Sequence, residues 1–206
     1  KTLLLETSAE VQLIRFLYKE KIIRASDLFR SLFYSLSQIF RGFDTLIYSK
    51  SRYLKGVEQE TINAHLPRFF DAYIWPRISS EILDYLQQLK KKNYKIIFIS
   101  GTLDFLLSYF IEKYDVDGGV GSHMEVDQEK YSGHITGIYP YKYGKIKALE
   151  YYLDGRKIDY ESSYAFADSV ADIPLLKLFG NPVVVNPSVL LWIKAKRSKW
   201  KIIKVK

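Results

Sequence analysis

The sequence contains no cysteine, and this absence excludes whole classes of chemistry. Without thiols the chain cannot form disulfide bonds, use a thiolate nucleophile or build a cysteine zinc site. Its three histidines, His65, His123 and His134, lack the i, i+4 spacing of a helical zinc pair. No stretch approaches the ~20 consecutive apolar residues of a transmembrane helix. We therefore expect a protein of a reducing compartment, the cytoplasm, with no transmembrane segment.

The composition is that of a folded chain whose charge is unevenly placed. Of 206 residues, 48% are hydrophobic and 16% aromatic, which excludes intrinsic disorder. The net charge of +8 is concentrated at the end, where residues 194–206 carry seven Lys or Arg. This charge could attract anionic lipid headgroups or nucleic acid, but the alternation around Ile202 also fits an edge strand protected by lysines. Because no recognition motif accompanies the charge, we expect no nucleic-acid partner.

Apolar periodicity divides the chain into a helical block and an alternating part. Helices are predicted over residues 7–24, 26–41, 43–54 and 57–73. Trp75 and Pro76 end this block, because the residue before a proline disfavours helix. From residue 79 helices alternate with strands, which indicates parallel βαβ units. The strands are predicted at residues 94–99, 119–122, 163–167, 182–186 and 201–205, with a hairpin between the second and the third.

Two aspartates follow the predicted strand at 163–167. Asp168 comes directly after its last apolar residue, and Asp172 opens the next helix, with Pro174 in the first turn. Two carboxylates at the C-terminal edge of a parallel strand suit a hard cation such as Mg²⁺, which takes oxygen ligands and leaves positions open for phosphate. The same residues would also serve as a helix N-cap and a favourable first-turn charge. The pattern alone leaves both interpretations open.

Two further strand or loop ends carry groups that can bind phosphate. Ser100 and Gly101 follow the strand at 94–99 and precede a helix, so a hydroxyl and backbone N–H groups would form a phosphate cradle. An ordinary capped turn uses the same residue types. Lys145 lies in the first turn of another predicted helix, where the macrodipole disfavours a cation. A lysine at this position therefore indicates a nearby anion.

Taken along the chain, the segments at Ser100, Lys145 and Asp168 resemble motifs II, III and IV of the haloacid dehalogenase (HAD) superfamily of phosphotransferases. Residues 180–187 and 199–203 are similar to the end of subfamily IB hydrolases, the relatives of phosphoserine phosphatase. The resemblance implies an α/β fold: a Rossmann-like core with a parallel sheet, formed by residues 1–7 and 75–206, and an inserted all-helical cap, residues 8–74, that closes over the active site.

The resemblance also implies a role for each candidate residue. Ser100 and Gly101 would bind the transferring phosphoryl group, and Lys145 would neutralise its charge. Asp168 would ligate Mg²⁺, and Asp172 would support both the metal and Lys145. Ala167 stands where the family usually has glycine. We expect Ser100, Lys145, Asp168 and Asp172 to converge at the C-terminal edge of one sheet.

The start of the chain departs from the family pattern. Motif I of the family reads Asp-x-Asp-x-Thr, in which the first aspartate is the nucleophile and the second the general acid and base. Residues 1–4 resemble its end, with Thr2 as a phosphate-binding residue, so both aspartates would precede Lys1. We expect an N-terminally truncated fragment that lacks the central strand and is inactive as it stands. Asp44 is no substitute, because neither a second aspartate nor an apolar strand accompanies it.

The implied activity is Mg²⁺-dependent hydrolysis of a phosphomonoester through an aspartyl-phosphate in the intact protein. The alternative is a catalytically inactive protein that keeps the fold to bind a phosphorylated ligand. The expected substrate is a small phosphorylated metabolite or a phospholipid-type phosphomonoester. Phosphoserine is disfavoured, because Thr7 stands where phosphoserine phosphatases have glutamate, with Glu6 and Glu10 as imperfect replacements.

Cap residues give two weaker indications about the substrate. Arg41 or Arg52 could bind a substrate carboxylate bidentately, or simply lie in solvent. Four aromatic residues could receive a lipid phosphate, although core packing explains them equally well. These aromatic residues are Phe33, Phe40, Phe43 and Tyr53.

Overall fold

A computed structural model describes residues 2–5, 7–38 and 51–205. Most of the helix predicted over 43–54 lies outside these residues, and so do Glu6, Phe40, Arg41, Phe43 and Asp44. None of the described helices is long and apolar enough to span a bilayer.

The described chain is helical up to residue 91 and alternates strands with helices afterwards. The α-helices are α1 (Ala9–Lys19), α2 (Ala25–Gln38), α3 (Gln59–Phe69), α4 (Ser80–Lys91), α5 (Asp104–Lys113), α6 (Gly144–Leu153), α7 (Ile173–Leu176) and α8 (Val189–Arg197). The strands are β1 (Ile97–Leu103), β2 (Gly118–Asp127), β3 (Lys130–Thr136), β4 (Tyr164–Ala167), β5 (Asn181–Val185) and β6 (Lys201–Ile203). Short 3-10 helices cover Arg52–Leu54, Trp75–Arg77 and Val170–Asp172, and a π-helix covers Phe70–Ile74.

Local capping explains where two of the helices begin. The Ser8 hydroxyl accepts a hydrogen bond from the Val11 amide at 3.3 Å and caps α1. The Ser79 hydroxyl accepts one from the Ile82 amide at 3.3 Å and caps α4. Each cap satisfies an amide that has no partner within its own helix, and this fixes the first turn.

The strands form two three-stranded sheets. In the first, β1 pairs with β2 in parallel and β2 pairs with β3 as an antiparallel hairpin. In the second, β4, β5 and β6 are all parallel. The parallel βαβ units predicted from the sequence are confirmed, and β6 is an edge strand of its sheet. Among the described residues, β1 and β4 are not paired with each other.

Strand β1 extends further than the sequence predicts. It continues through Ser100 and Gly101 to Leu103, with an irregular register after Ile99, whereas the prediction ended it at residue 99. The extension is stabilised by β2, because Ser122 pairs with Leu103 and its hydroxyl donates to the Gly101 carbonyl at 2.9 Å. The phosphate-binding loop predicted here is therefore an irregular strand end.

One continuous apolar cluster joins the helical block to the first sheet. It combines α1 and α3 residues such as Phe16 and Phe69 with Leu106 and Phe110 of α5 and Met124 of β2. Two smaller clusters pack the second sheet on either side, and another lies between α6 and α7. The helical block is thus packed directly on α5 and the hairpin.

Helix α2 presents an apolar face to solvent. Phe29, Leu32, Phe33 and Leu36 follow the i, i+3, i+4, i+7 spacing of one helix face, yet all four are exposed, Phe33 to 77%. Tyr53, by contrast, is buried in the large cluster. Core packing therefore accounts for Tyr53 but not for Phe33.

Replacing Tyr131 by phenylalanine is expected to raise the free energy of unfolding by about 1 kcal/mol. Tyr131 lies in β3 and is buried, and its hydroxyl has no hydrogen-bond partner among the described residues. Burial, together with the charge of Asp104, raises its pKa, so the hydroxyl stays neutral and desolvated. Urea unfolding would measure the gain.

Tyr152→Phe is the matched control for this measurement. Its hydroxyl donates to the Asp117 carbonyl at 3.0 Å, so its removal is expected to cost about 0.5–1.5 kcal/mol. If Tyr131→Phe lowered the free energy of unfolding as Tyr152→Phe does, the Tyr131 hydroxyl would have a hydrogen-bond partner.

Candidate active site

Asp168 follows β4 directly and is held by the start of the chain. The Thr2 hydroxyl donates to Asp168 Oδ1 at 2.7 Å. Thr2 is positioned because residues 3–5 pair with residues 77–79: the Ser79 amide donates to the Leu3 carbonyl at 3.0 Å, and the Leu5 amide donates to the Arg77 carbonyl at 2.8 Å. A hydroxyl and a carboxylate that are 166 positions apart therefore meet at the end of β4.

Asp168 is a partly buried carboxylate that stays ionised. Burial acts to raise its pKa, whereas the hydrogen bond from Thr2 and the charge of Lys145 act to lower it. The pKa of Asp168 consequently lies below its ordinary value. At neutral pH the site therefore presents a negative oxygen ligand.

Lys145 and Asp172 form an ion pair next to this carboxylate. Lys145 Nζ lies 2.7 Å from Asp172 Oδ1, and the two side chains are only 18% and 6% exposed. Asp172 is presented by the 3-10 turn after β4, where the Ser169 hydroxyl accepts from the Ala171 amide at 3.2 Å. Because the pair is shielded from water, Asp172 fixes the position of the ammonium more firmly than a surface partner would.

Packing of α6 against β1 and α7 positions Lys145. Leu149 and Leu153 of α6 pack with Leu175 of α7 and with Ile99 of β1. The helix begins at Gly144, whose amide donates to the Tyr141 carbonyl at 2.8 Å. Lys145 is the next residue, so it lies in the first turn of α6, at the end of the helix that faces Asp172.

Gly144→Ala is expected to displace Lys145 and destabilise the protein. A Cβ at this position would lie 2.1 Å from the Tyr139 carbonyl oxygen, so the backbone on one side of the contact has to move. We expect a loss of about 1–3 kcal/mol in the free energy of unfolding and a clear fall in phosphate affinity, measured by urea unfolding and by calorimetry.

Lys147→Ala is the control for this substitution, because the exposed Lys147 lies on the same helix away from the ion pair. It should change neither stability nor phosphate affinity. If Gly144→Ala behaved like this control, the close approach to Tyr139 would not position Lys145.

Ser100 and Gly101 lie on the neighbouring sheet. The Ser100 hydroxyl donates to the Thr102 hydroxyl at 2.9 Å and accepts from the Thr102 amide at 3.2 Å. Among the described residues, no hydrogen bond joins Ser100 to Lys145 or Asp168. A Cβ at Gly101 would lie 3.3 Å from the Tyr139 hydroxyl, so this loop contacts the segment that precedes α6. The structure thus brings Thr2, Lys145, Asp168 and Asp172 together, and the role of Ser100 stays a prediction.

Sequence reasoning missed several polar contacts around the site. Tyr139, which approaches Gly101, carries no motif that would single it out. Asp104 Oδ2 lies 2.6 Å from His123 Nδ1, and this pair joins the start of α5 to the hairpin. The only indication of this pair in the sequence was Asp104 itself, because an acidic residue in the first turn of a helix is favourable.

Arg52 contacts both the helical block and the hairpin. Its Nη1 atom lies 3.1 Å from His134 Nε2, and its guanidinium stacks 3.9 Å from the centre of the Tyr34 ring. The nearby Glu10 accepts a hydrogen bond from the Ser51 hydroxyl at 3.3 Å. Arg52 is therefore not a free solvated arginine.

Solved structures with the same fold support this assignment of elements. A protein with unknown function from Bordetella pertussis Tohama I matches with a TM-score of 0.84 at 20% identity, over 98% of this chain and 94% of that protein. A substrate-bound phosphoserine phosphatase complex matches with a TM-score of 0.61 at 20% identity, over 78% of this chain and 71% of the other. At this level of identity the likeness concerns the fold.

Sequence comparison identifies the family. A histidinol-phosphatase from Neisseria meningitidis serogroup C (strain 8013) is 30% identical over 142 residues, 67% of this chain and 64% of that protein. The chain thus spans less than two thirds of this relative's length. The family model for haloacid dehalogenase-like hydrolases matches residues 1–177, which carry all the site residues described above. This chain belongs to the haloacid dehalogenase-like hydrolase family.

Proposed function

We propose that this protein is a Mg²⁺-dependent phosphatase of the subfamily IB type that hydrolyses a phosphomonoester. The observation that carries the proposal is the buried Lys145–Asp172 pair, 2.7 Å long, beside the ionised Asp168. A fixed ammonium and a carboxylate at one edge of a sheet suit a phosphoryl group and a divalent cation respectively.

Each residue contributes a distinct electrostatic function to phosphoryl transfer. Lys145 places positive charge against the phosphoryl oxygens, and Asp172 holds that charge in position. Thr2 orients the Asp168 carboxylate through its hydrogen bond. Ser100 and the Gly101 amide would donate hydrogen bonds to the phosphoryl group from the neighbouring sheet. These donors stabilise the charge that spreads over the oxygens in the transition state.

The donor set fits Mg²⁺. In residues 2–5, 7–38 and 51–205, no cluster of three or more His, Asp or Glu side chains could hold a metal by itself. Mg²⁺ needs no such cluster, because it is usually bound by one or two carboxylates together with phosphate oxygens and water. Asp168 would be the main protein ligand, since Asp172 is already paired with Lys145. When bound, the cation would neutralise charge on the phosphoryl oxygens.

The covalent step we propose is the formation and hydrolysis of an aspartyl-phosphate. In a protein that carries the complete Asp-x-Asp-x-Thr motif, the first aspartate attacks phosphorus, and the bond from phosphorus to the alcohol oxygen breaks while the second aspartate protonates that oxygen. Water that has given a proton to the second aspartate then attacks phosphorus and releases inorganic phosphate and the free first aspartate. Thr2 matches the threonine of this motif and already contacts Asp168.

The proposed substrate is a small phosphorylated metabolite or a phospholipid-type phosphomonoester. Histidinol phosphate is the first metabolite to test, because the Neisseria meningitidis relative is a histidinol-phosphatase. Glu10 and Arg52 in the helical block are groups that could recognise an amine and an anion on such a substrate.

The test compares the 206-residue chain with a version that also carries any residues encoded before Lys1. Hydrolysis of p-nitrophenyl phosphate and histidinol phosphate is followed with Mg²⁺ and with a chelator. Mg²⁺-dependent turnover by the longer version supports the proposal, whereas turnover by the 206-residue chain alone would contradict the aspartyl-phosphate step. Thermal stabilisation by inorganic phosphate without turnover by either version would instead support a non-catalytic phosphate-binding protein.

A further inference from the structure

The net positive charge lies entirely in the last part of the chain. Residues 173–206 contain eight of the 31 basic residues and no Asp or Glu. Residues 1–172 therefore carry 23 basic and 23 acidic residues and are neutral overall. A charge segregated in this way creates a local field that a net charge spread over the surface would not.

The same region exposes large apolar side chains on α8. Val189 and Leu190 are 74% and 70% exposed, and Trp192 and Ile193 are 41% and 37% exposed. Leu191 and Ala195, on the opposite face, are fully buried against the second sheet. Helix α8 thus packs one face on the second sheet and leaves Val189 and Leu190 mostly exposed, with Trp192 and Ile193 partly exposed beside them.

Cations flank this apolar surface. Lys194, Lys196 and Arg197 occupy the last turn of α8, and Lys196 Nζ lies 5.8 Å from the centre of the Trp192 ring. We call Val189, Leu190, Trp192 and Ile193 with these three cations the α8 surface. Apolar and Trp side chains rimmed by Lys and Arg are the composition of interfacial helices, whose apolar part enters the acyl region while the cations meet headgroups.

The α8 surface begins at the edge of the sheet that carries the site. Ala167 pairs with Val184 in the parallel β4–β5 ladder, so the ends of both strands lie at the same level. Asp168 follows one strand and α8 begins four residues after the other. A surface docked on the start of α8 is therefore on the same sheet edge as the phosphate-binding residues.

Two other partners fit these observations less well. Nucleic acid would be bound through stacking on aromatic rings, whereas the most exposed residues here, Val189 and Leu190, are aliphatic. In a symmetric dimer the three cations of each copy would face like charge. The four apolar side chains also offer well under the ~800 Å² per partner of a stable dimer.

We propose that the α8 surface docks the protein on anionic lipid bilayers. The apolar residues insert at the level of the headgroups, and the cations hold the anionic lipids. This inference goes beyond the phosphatase activity, since it concerns where the protein works, and binding can be measured without catalysis.

Vesicle flotation tests the proposal directly. The protein should float with vesicles of phosphatidylcholine and phosphatidylglycerol, bind far less to phosphatidylcholine alone, and dissociate as salt is raised. Val189→Ser with Leu190→Ser should weaken binding at least tenfold. Lys194→Gln, Lys196→Gln and Arg197→Gln together should weaken it roughly a hundredfold, about fivefold for each cation.

Matched variants elsewhere on the protein distinguish docking through the α8 surface from nonspecific binding to vesicles. Lys91→Gln, Lys92→Gln and Lys95→Gln remove the same charge from exposed positions near the end of α4. Leu32→Ser with Phe33→Ser removes exposed apolar surface from α2. Both sets should leave vesicle binding nearly unchanged, and circular dichroism checks that every variant is folded.

Several results would overturn the proposal. These are no flotation with anionic vesicles, control variants that weaken binding as much as the α8 variants, or a Val189→Ser, Leu190→Ser protein that binds like the wild type. Tighter binding to single-stranded DNA at the same salt would assign the cations to nucleic acid. A dimer that Val189→Ser and Leu190→Ser dissociate would assign the α8 surface to a second copy.

Discussion

Lys145→Ala is expected to lower kcat/KM for phosphomonoester hydrolysis by a factor of about 10³ in a version that carries the complete Asp-x-Asp-x-Thr motif, and to destabilise the protein by about 3–5 kcal/mol. The activity is lost because, among the described residues, no other cation is held so closely at this edge by a buried carboxylate partner. The stability is lost because Asp172, whose side chain is 6% exposed, would keep a buried charge without its counter-ion. Steady-state kinetics and urea unfolding measure the two effects separately.

A second substitution separates catalysis from folding. In the double variant Lys145→Ala, Asp172→Asn no charge is left uncompensated, so most of the stability should return while the activity stays low. Lys147→Ala, on the same helix, should change neither quantity. Recovery of activity in the double variant would show that Lys145 serves only to neutralise Asp172.

Asp168→Asn is expected to remove Mg²⁺-dependent activity, with a fall of about 10²–10³ in kcat, while stability changes little. The amide oxygen can still accept the hydrogen bond from Thr2, and the burial cost that a neutral amide avoids offsets part of the lost attraction to Lys145. What the substitution removes is the negative oxygen ligand. Calorimetric titration with Mg²⁺ in the presence of phosphate should show weaker metal binding.

Asp154→Asn is the control for this loss. Asp154 caps the end of α6 with φ of 46°, a left-handed conformation that asparagine adopts readily, and it is exposed. Its replacement should leave kcat and Mg²⁺ binding unchanged. Unaltered Mg²⁺ binding in Asp168→Asn would mean that the metal is held by other groups.

The sequence predicted the parts of the site that depend on local pattern. Asp168 and Asp172 could be found because a parallel strand ends abruptly in front of them, and Lys145 because a cation in a first helical turn is unfavourable without an anion. The structure supplies that anion as Asp172, 2.7 Å away. The alternation of strands and helices likewise predicted the parallel sheets.

Other parts depend on contacts that no local pattern records. The extension of β1 to Leu103 results from its pairing with β2, and the contact of Tyr139 with Gly101 from the path of a loop. Helical periodicity also shows which residues share a helix face without showing whether that face is buried or exposed. Phe33 was expected either to pack in the core or to receive a lipid phosphate, and its exposure to solvent contradicts core packing.

The apolar cluster shared by the helical block and the first sheet has a consequence for how the protein melts. Its aromatic rings form a chain of contacts. The ring centre of Phe70 lies 4.6 Å from that of Tyr109 and 4.7 Å from that of Trp75, and the ring centre of Trp75 lies 5.9 Å from that of Phe110. Neither part can lose its order without exposing aromatic surface of the other. We therefore expect the helical block and the first sheet to unfold as a single cooperative unit, with one calorimetric transition and nearly equal amide-exchange protection on the two sides of Trp75.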